Sequence, residues 1–527
     1  MKYKKWTLFS SFMVVLLLVS EIYAVVMIHK LGMVPFKYMV AGIVFLAFFT
    51  AITVLFYFLG VRGKGRKKKK KNTLMYVRRV FAVILTICIV CGSLYVAKAV
   101  SKVKKTVDKV TQTETVTVAM MGVYVMADNN VSELADTKDY AFAIMSDYDI
   151  GNTEYAVNFL NNALGKTITT VSGADITEAT RMLYDGTAQA LVVNEAYAAV
   201  LPDLEEFGDF ETKTKLLYEI PIKEEQSIAT PTPVVVDEVE NVDKEEIAPT
   251  PEERETFSVT EDPFIIYLSG SDTRSKILDR SRSDVNILMV VNPSTKQVLL
   301  LNTPRDYYVA NTAGGGTYDK LTHCGIYGID CSVSTLENLY GVNVDYYAQI
   351  NFTGFETLID ELGGVTIESP CGFQSSHGDY YFQKGENQVD GHQALCFARE
   401  RYAFGSGDNQ RGKNQMTIIK AVIKKLTSDG GTLLSNYSGI LDSLSGMFVT
   451  SMSSDDISSL VKMQLNDNAS WEVYNFAVTG KGGMDYTYSI PYAKAYVMYQ
   501  NSTLVNKASG LMEKMLNGEK ISDADLQ

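Results

Sequence analysis

"VNILMVVNPSTKQVLLLNTPRD", residues 285–306, decides the fold of the larger part of this 527-residue chain. Two aliphatic runs flank the turn-forming "NPST", which predicts strands over 285–291 and 297–302 joined as a hairpin. Upstream, "FIIYLSGSD" (264–272) reads as a strand running into a Gly-Ser turn. Downstream, "SVSTLENLYG" (332–341) reads as a glycine-stopped helix, "VDYYAQI" (344–350) as a strand and "FTGFETLIDELGG" (352–364) as a second glycine-stopped helix leading into "VTI". The apolar helix "MTIIKAVIKKL" (416–426) is suited to cover the sheet. Strands with intervening helices predict an α/β/α sandwich on a mixed central sheet.

The polar residues of this region gather at strand ends, where α/β sheets bind ligands. Asp272 and Arg274 follow the first strand, Arg282 and Asp284 precede the second, and Arg305 and Asp306 follow the third. Further on, "CFARERYAFGSGDNQRGKNQ" (396–415) sets Arg399, Arg401 and Arg411 around one loop, followed by Gln415. Were "CFARER" a strand, Arg399 and Arg401 would share a face. A helix starting near Asn409 would put Arg411 and Gln415 on one face. Guanidiniums aimed at one place call for an anion between them, and the planar fork of arginine suits phosphate. The competing reading is surface ion pairing with Glu400 and Asp408, worth little per pair. Carboxylates beside phosphates suggest Mg²⁺, with Asp272 and Asp284 as candidate ligands, against simple pairing with Arg274 and Arg282. "AGGGTYDK" lacks the spacing of a P-loop and reads as a loop near Lys320.

The formal net charge is -12, unevenly spread. Residues 1–110 hold 20 Lys and Arg against 2 Asp and Glu, which leaves the remainder about 30 charges negative. So acidic a body excludes sequence-independent nucleic-acid binding, which needs a basic surface. The basic part is also apolar. Three runs, about 6–28, 36–60 and 80–99, are long enough to cross a bilayer and form a membrane anchor over 1–100. The first is not a cleaved signal peptide, since no small-residue cleavage site precedes the next run. "MKYKK" and "RGKGRKKKKKNTLMYVRR" (62–79) belong in the cytoplasm under the positive-inside rule, the second also touching anionic lipid. A multi-pass cell-membrane protein with everything after about residue 100 extracytoplasmic is expected.

Beyond the anchor, 101–114 reads as a polar stalk and 115–222 as a small α/β accessory domain with no catalytic constellation of its own. Residues 223–263, rich in Pro, Glu and Thr, read as a disordered acidic linker before a catalytic domain over 264–527. Cys88 and Cys91 lie in the third apolar run. Cys324, Cys331, Cys371 and Cys396 lie outside, where four thiols allow three pairings, the simplest being Cys324 with Cys331 and Cys371 with Cys396. His323, His377 and His392 stand apart in sequence and suit structural or surface roles.

"GSDTR…RSDVNILMVVNPSTKQVLLLNTPRD", "YDKLTHCGIYG", "INFTGFETLIDELGGV" and "GHQALCFARERYAFGSGDNQRGKNQ" together resemble the LytR–CpsA–Psr family, in order and spacing, over roughly 264–426. Three apolar runs and an accessory domain resemble its capsule-associated branch. The resemblance implies transfer of a capsular or other wall glycopolymer from polyprenyl pyrophosphate to peptidoglycan. It implies Asp272 and Asp284 as magnesium ligands, and Arg282, Arg305, Lys320, Arg399, Arg401, Arg411 and Gln415 as pyrophosphate contacts, with Arg274 beside them. It also implies an apolar tunnel for the prenyl tail. Arg282 and Arg305 would act on the reacting phosphates, with Asp306 a candidate acceptor for the attacking hydroxyl's proton. The expected partners are the lipid-linked glycan, the peptidoglycan acceptor, membrane lipid and other capsule-assembly membrane proteins. Two alternatives stay open: a non-catalytic membrane regulator or scaffold of envelope polymer assembly, and a hydrolase of polyprenyl pyrophosphate.

Overall fold

The computed structural model describes residues 2–59, 66–111, 114–227, 257–273, 278, 280–405, 407–428, 440, 443–444 and 446–527. The chain forms two compact units. One unit comprises residues 1–109, 427–442 and 453–469, and the other holds the rest.

In the first unit, helices Lys2–Leu31, Phe36–Phe58 and Arg66–Val110 contain three stretches long and apolar enough to cross a membrane: Trp6–Leu31, Phe36–Phe58 and Met75–Lys105. Phe12, Val15, Phe45, Phe48, Ile84 and Ile87 are exposed along these helices, as lipid-facing side chains are. The helices are joined by hydrogen bonds in place of a hydrophobic driving force. Thr50 Oγ1 donates to Glu21 Oε1 at 2.6 Å, and the Tyr57 and Thr86 hydroxyls are 3.0 Å apart. Lys37 Nζ donates to the Asn466 carbonyl at 2.7 Å, so the short 32–35 connection lies on the same side as helix Ser454–Asp467. The third helix continues to Val110, so the segment read as a stalk is helical over most of its length.

The second unit contains two sheets. The accessory sheet runs, from edge to edge, Thr169–Gly173, Ala141–Met145, Ala190–Asn194, Glu114–Met126 and Thr214–Ser227. Its apolar residues alternate between two faces. Phe142 and Val192 meet Ala156 and Leu160 of helix Ile150–Leu164, while Ala143 and Val193 meet Ala179 and Leu183 of helix Ile176–Tyr184. The last strand pairs with the first out to Ser227 opposite Glu114, so residues 223–227 belong to the sheet and not to the acidic linker. Most of that linker, 228–256, lies outside the described residues.

The larger sheet has the order Phe448–Thr450, Tyr346–Asn351, Phe264–Ser271, Val285–Asn292, Gln297–Asn302, Glu472–Ala477. It is mixed, as expected: the central hairpin is antiparallel, and parallel strands join it on both sides. Helices Ile329–Tyr340 and Ser502–Leu516 bury Leu336, Ala508 and Met512 against Tyr267, Leu288 and Leu299. Helix Asp408–Ser428 comes in at the end of strand Gln297–Asn302, where Gly412 leaves no room for a side-chain carbon against Asn302.

Candidate functional site

Strand register brings the charged residues together. Gly270 pairs with Val285 and Ile287 with Asn302, so Asp272, Asp284 and Arg305 leave three adjacent strands at one edge of the sheet. Short backbone bonds fix these exits. The Asp284 amide donates to Gly270 (2.8 Å), Thr322 to Arg305 (2.8 Å) and Ser283 to Thr322 (3.0 Å). The last two dock the short helix Leu321–Cys324, and with it Lys320, against the strand ends.

Each carboxylate has a guanidinium. Arg282 Nη2 lies 2.9 Å from Asp272 Oδ2, and Arg305 Nη1 lies 2.8 Å from Asp284 Oδ1. Asp284 also accepts from Thr322 Oγ1 at 3.3 Å. Of the alternative pairings, Arg282 is taken by Asp272, and Asp284 pairs with Arg305, which strands Val285–Asn292 and Gln297–Asn302 bring alongside it. Lys320 Nζ lies 3.3 Å from Asp306 Oδ1, an ion pair without hydrogen-bond geometry. The set is buried: the side chains of Arg282, Arg305 and Lys320 are 12%, 10% and 2% exposed, so these cations have little water to solvate them. Arg282 Nε and Arg305 Nε are buried donors without a hydrogen-bond partner, Arg305 Nε lying 3.8 Å from Asp306 Oδ2.

The electrostatics follow from this burial. Burial opposes ionisation of Asp284, but Arg305, Arg282 and Arg411 outweigh it and hold its carboxyl well below the usual range. Asp272 goes the other way, pushed up by burial and by the nearby Asp284 charge against the pull of Arg282. Asp284 raises the pKa of Arg305 against burial. Asp408 is pushed up by burial and by Asp306, against the pull of Arg411, with which it pairs directly. Two neighbouring carboxylates with opposite shifts form a hard-oxygen donor pair of the kind that Mg²⁺ takes when phosphate completes its shell. Among the described residues no group of three or more His, Cys, Asp or Glu is arranged to hold a metal alone.

The second arginine group is only partly joined to the first. "CFARER" is not a strand: Gly391–Arg399 is a helix with an Asp390 capping box, since Asp390 and Gln393 satisfy each other's backbone amides. Alternation therefore does not apply. Arg399 ends the helix with its guanidinium 4.9 Å from the Phe352 ring centroid. The Phe352 amide in turn donates to the Thr273 carbonyl beside Asp272. Arg401 stacks on Tyr402, 4.7 Å from its centroid. Glu400 is fully buried and accepts from the Ser376, Tyr402 and Ala403 amides, so it fastens the loop and pairs with neither arginine. Helix Asp408–Ser428 begins where expected and carries Arg411 and half-buried Gln415 one turn apart. Arg274 lies outside the described residues.

The expected disulfides are not formed. All six cysteines are free, with Cys371 exposed and Cys396 buried. Cys324 Sγ donates to Thr335 Oγ1 at 3.7 Å and Cys331 Sγ to Asn311 Oδ1 at 3.1 Å, and the proximity of the two thiols pushes Cys324 up and draws Cys331 down to about 7. His323 is buried against Asp319 at 2.6 Å, a structural role. Sequence reasoning overlooked one participant altogether. Asp203, from the accessory domain, lies 3.3 Å from Lys320 Nζ and 3.6 Å from both Arg282 Nη1 and Arg305 Nη2. No local pattern in "LPDLEEF" marks it, because its partners are contributed by the other sheet.

These features define an α/β/α domain, preceded by apolar helices of membrane-spanning length, with a buried cluster of cations and paired carboxylates at its strand ends. The chain belongs to the LytR_cpsA_psr family, whose model matches residues 234–506. Among curated relatives, the polyisoprenyl-teichoic acid–peptidoglycan teichoic acid transferase TagT of Bacillus subtilis is 37% identical over 198 residues, covering 36% of this chain and 60% of that protein. The corresponding TagU of Halalkalibacterium halodurans is 33% identical, covering 42% of this chain and 71% of that protein. A solved structure described as TagT bound to LI-WTA is 28% identical with a TM-score of 0.41, covering 51% of this chain and 96% of that one. The chain thus spans about three fifths of the TagT sequence it matches.

Proposed function

We propose that this chain is a membrane-anchored phosphotransferase that moves a wall glycopolymer from polyprenyl pyrophosphate to peptidoglycan. The observation that carries this reading is the buried trio Arg282, Arg305 and Lys320, beside the paired carboxylates Asp272 and Asp284. Family membership and the names of the relatives, transferases of teichoic acid to peptidoglycan, agree with it.

In this reading the guanidiniums of Arg282 and Arg305 bind phosphate oxygens in their planar forks, and Lys320 adds a third positive charge. Arg411 supports them from the following helix, and Gln415, Arg399 and Arg401 extend the contacts outward. Phosphoryl transfer depends on positioning and on neutralising charge, which buried cations supply at low dielectric cost of reorganisation. Asp272 and Asp284 would hold Mg²⁺, which when bound supplies positive charge to the phosphates. Asp306, 8% exposed and beside Lys320, accepts the proton of the attacking sugar hydroxyl as the hydroxyl oxygen bonds the sugar-bearing phosphorus, the P–O bond to the second phosphate breaks and polyprenyl phosphate leaves. The membrane anchor keeps the site near its lipid substrate. The basic run 62–79 between the second and third apolar helices favours an extracytoplasmic catalytic part under the positive-inside rule. Capsular polysaccharide is the polymer favoured by the three-helix front end, and other capsule-assembly membrane proteins are its natural neighbours.

The test is transfer by the full-length protein in detergent, with a synthetic prenyl-pyrophosphate glycan, peptidoglycan and Mg²⁺. Glycan covalently bound to peptidoglycan, lost in Arg305→Ala, is the expected result. Free glycan phosphate in place of the conjugate would make the protein a hydrolase, and no turnover with intact lipid binding would leave a scaffold.

A further inference from the structure

The accessory domain sends one carboxylate into the cation cluster. Asp203 ends the one-turn helix Leu201–Asp203, which follows helix Glu195–Ala198. The seat of this turn is apolar: Leu201, Leu204 and Phe207 form one buried cluster with Ile326, Ile490 and Ala495 of the catalytic domain. Asp203 is therefore carried in by a packed interface and is not a rim contact. Its side chain is 21% exposed and reaches Arg282, Arg305 and Lys320 together.

Three features describe what this carboxylate does. It touches the same three cations that the proposed function gives to the pyrophosphate. Its contacts with Arg282 and Arg305, 3.6 Å each, are longer than the 2.8–2.9 Å pairs those arginines make with Asp272 and Asp284, so they hold it more loosely than those two, while Lys320 Nζ donates to it at 3.3 Å. With it in place, the cations Arg282, Arg305, Lys320 and Arg411 face five carboxylates, those of Asp203, Asp272, Asp284, Asp306 and Asp408, a balance that repels an incoming anion. A role as general base does not suit it. Burial opposes its ionisation, but Lys320, Arg305 and Arg282 outweigh burial and lower its basicity.

We propose that Asp203 is an internal competitor: its carboxylate occupies the place of a phosphate oxygen on Arg282, Arg305 and Lys320, and a pyrophosphate ligand binds by displacing it. The accessory domain thereby sets the affinity of the catalytic site and selects ligands bearing enough negative charge to replace the carboxylate. This inference rests on the pyrophosphate reading of the site.

The experiment titrates inorganic pyrophosphate, at fixed Mg²⁺, into the full-length protein in detergent by calorimetry, for wild type, Asp203→Asn, Asp203→Ala and Arg305→Ala. Thermal melts confirm that each variant is folded. Both Asp203 variants are expected to bind about tenfold tighter than wild type, the scale of one charge-assisted contact released, while Arg305→Ala loses binding. Unchanged or weaker binding in folded Asp203 variants, with Arg305→Ala still defective, overturns the competitor and leaves Asp203 as interface or positioning glue. Binding that ignores Arg305→Ala, or no binding in any protein, overturns the site itself and the competitor with it.

Discussion

The two sheets of the second unit use the same ionic vocabulary to opposite ends. On the accessory sheet, Arg181 pairs with Glu206 at 2.7 Å, and Lys166 with Asp139 at 2.7 Å, among side chains 36–91% exposed. On the larger sheet, pairs of nearly the same length join cations that are 10–12% exposed. Pair length does not separate the two regions; burial does. Exposed pairs are solvated and screened, so either partner can go at little cost. Buried pairs have given up water, and each charge depends on its neighbours. Asp203 breaks the division, since the accessory domain contributes it and the cation cluster of the other sheet buries it.

The sharpest attempt to break this contrast is Arg305→Ala. It removes the fork proposed to hold phosphate and strips Asp284 of its closest countercharge. Transfer should fall by about a hundredfold or more, and stability by about 3–5 kcal/mol, read by conjugate formation and by denaturant unfolding. A folded variant with near-wild-type transfer would remove Arg305 from the site. Asp284→Asn probes the same pair from the acid side. The native carboxyl titrates below its unfolded value of about 3.8, so its stabilisation is present above that pH and disappears as pH falls through the lower native value. The melting-temperature gap between wild type and Asp284→Asn should therefore be widest near neutrality and narrow below pH 3.8. A gap that is independent of pH would show that the carboxylate's charge is not what stabilises.

The core of this contrast was legible in the sequence. The hairpin 285–302, the glycine-stopped helices and the charged strand ends follow from local periodicity and turn chemistry, and antiparallel register then obliges Asp272, Asp284 and Arg305 to meet. The segment around Arg399 was not, because "CFARER" satisfies the alternation of a strand while Asp390 and Gln393 cap a helix just before it. Gly412 records a close approach that appears only once Asn302 is placed opposite. Asp203 lies beyond any local rule. Its meaning comes from Arg282, Arg305 and Lys320, at least 79 residues away in the chain.

A smaller effect is expected at Asp272. Burial and the Asp284 charge raise its pKa above 3.8, so it takes up a proton before an ordinary carboxyl does as the solution is acidified. Metal binding requires the ionised form. Mn²⁺ affinity, followed by the paramagnetic signal of free metal, should begin to fall at a pH above 3.8 in wild type. Asp272→Asn should bind more weakly and lose that pH step. A step that survives the substitution would assign it to another group, with Asp408, also raised, the next to replace.

The smallest effect belongs to the accessory surface and completes the contrast. Arg181 and Glu206 make two hydrogen bonds, at 2.7 and 2.8 Å, in the bidentate geometry that gives arginine pairs their greatest strength. Their side chains are nevertheless 45% and 50% exposed, so solvent screening should reduce the pair to about 0.5 kcal/mol. Arg181 also lies 5.8 Å from the Phe207 ring centroid, and Phe207 belongs to the cluster that seats Asp203. Arg181→Ala thus tests whether geometry or burial governs the energy of a pair in this molecule. A melting temperature within about 2 °C of wild type, with unaltered pyrophosphate affinity, is what burial predicts. A large loss of stability would mean that bidentate geometry can matter as much at the surface as in the cluster. A change in pyrophosphate affinity would mean that the accessory face reaches the site through Phe207, and burial alone would no longer separate the two regions.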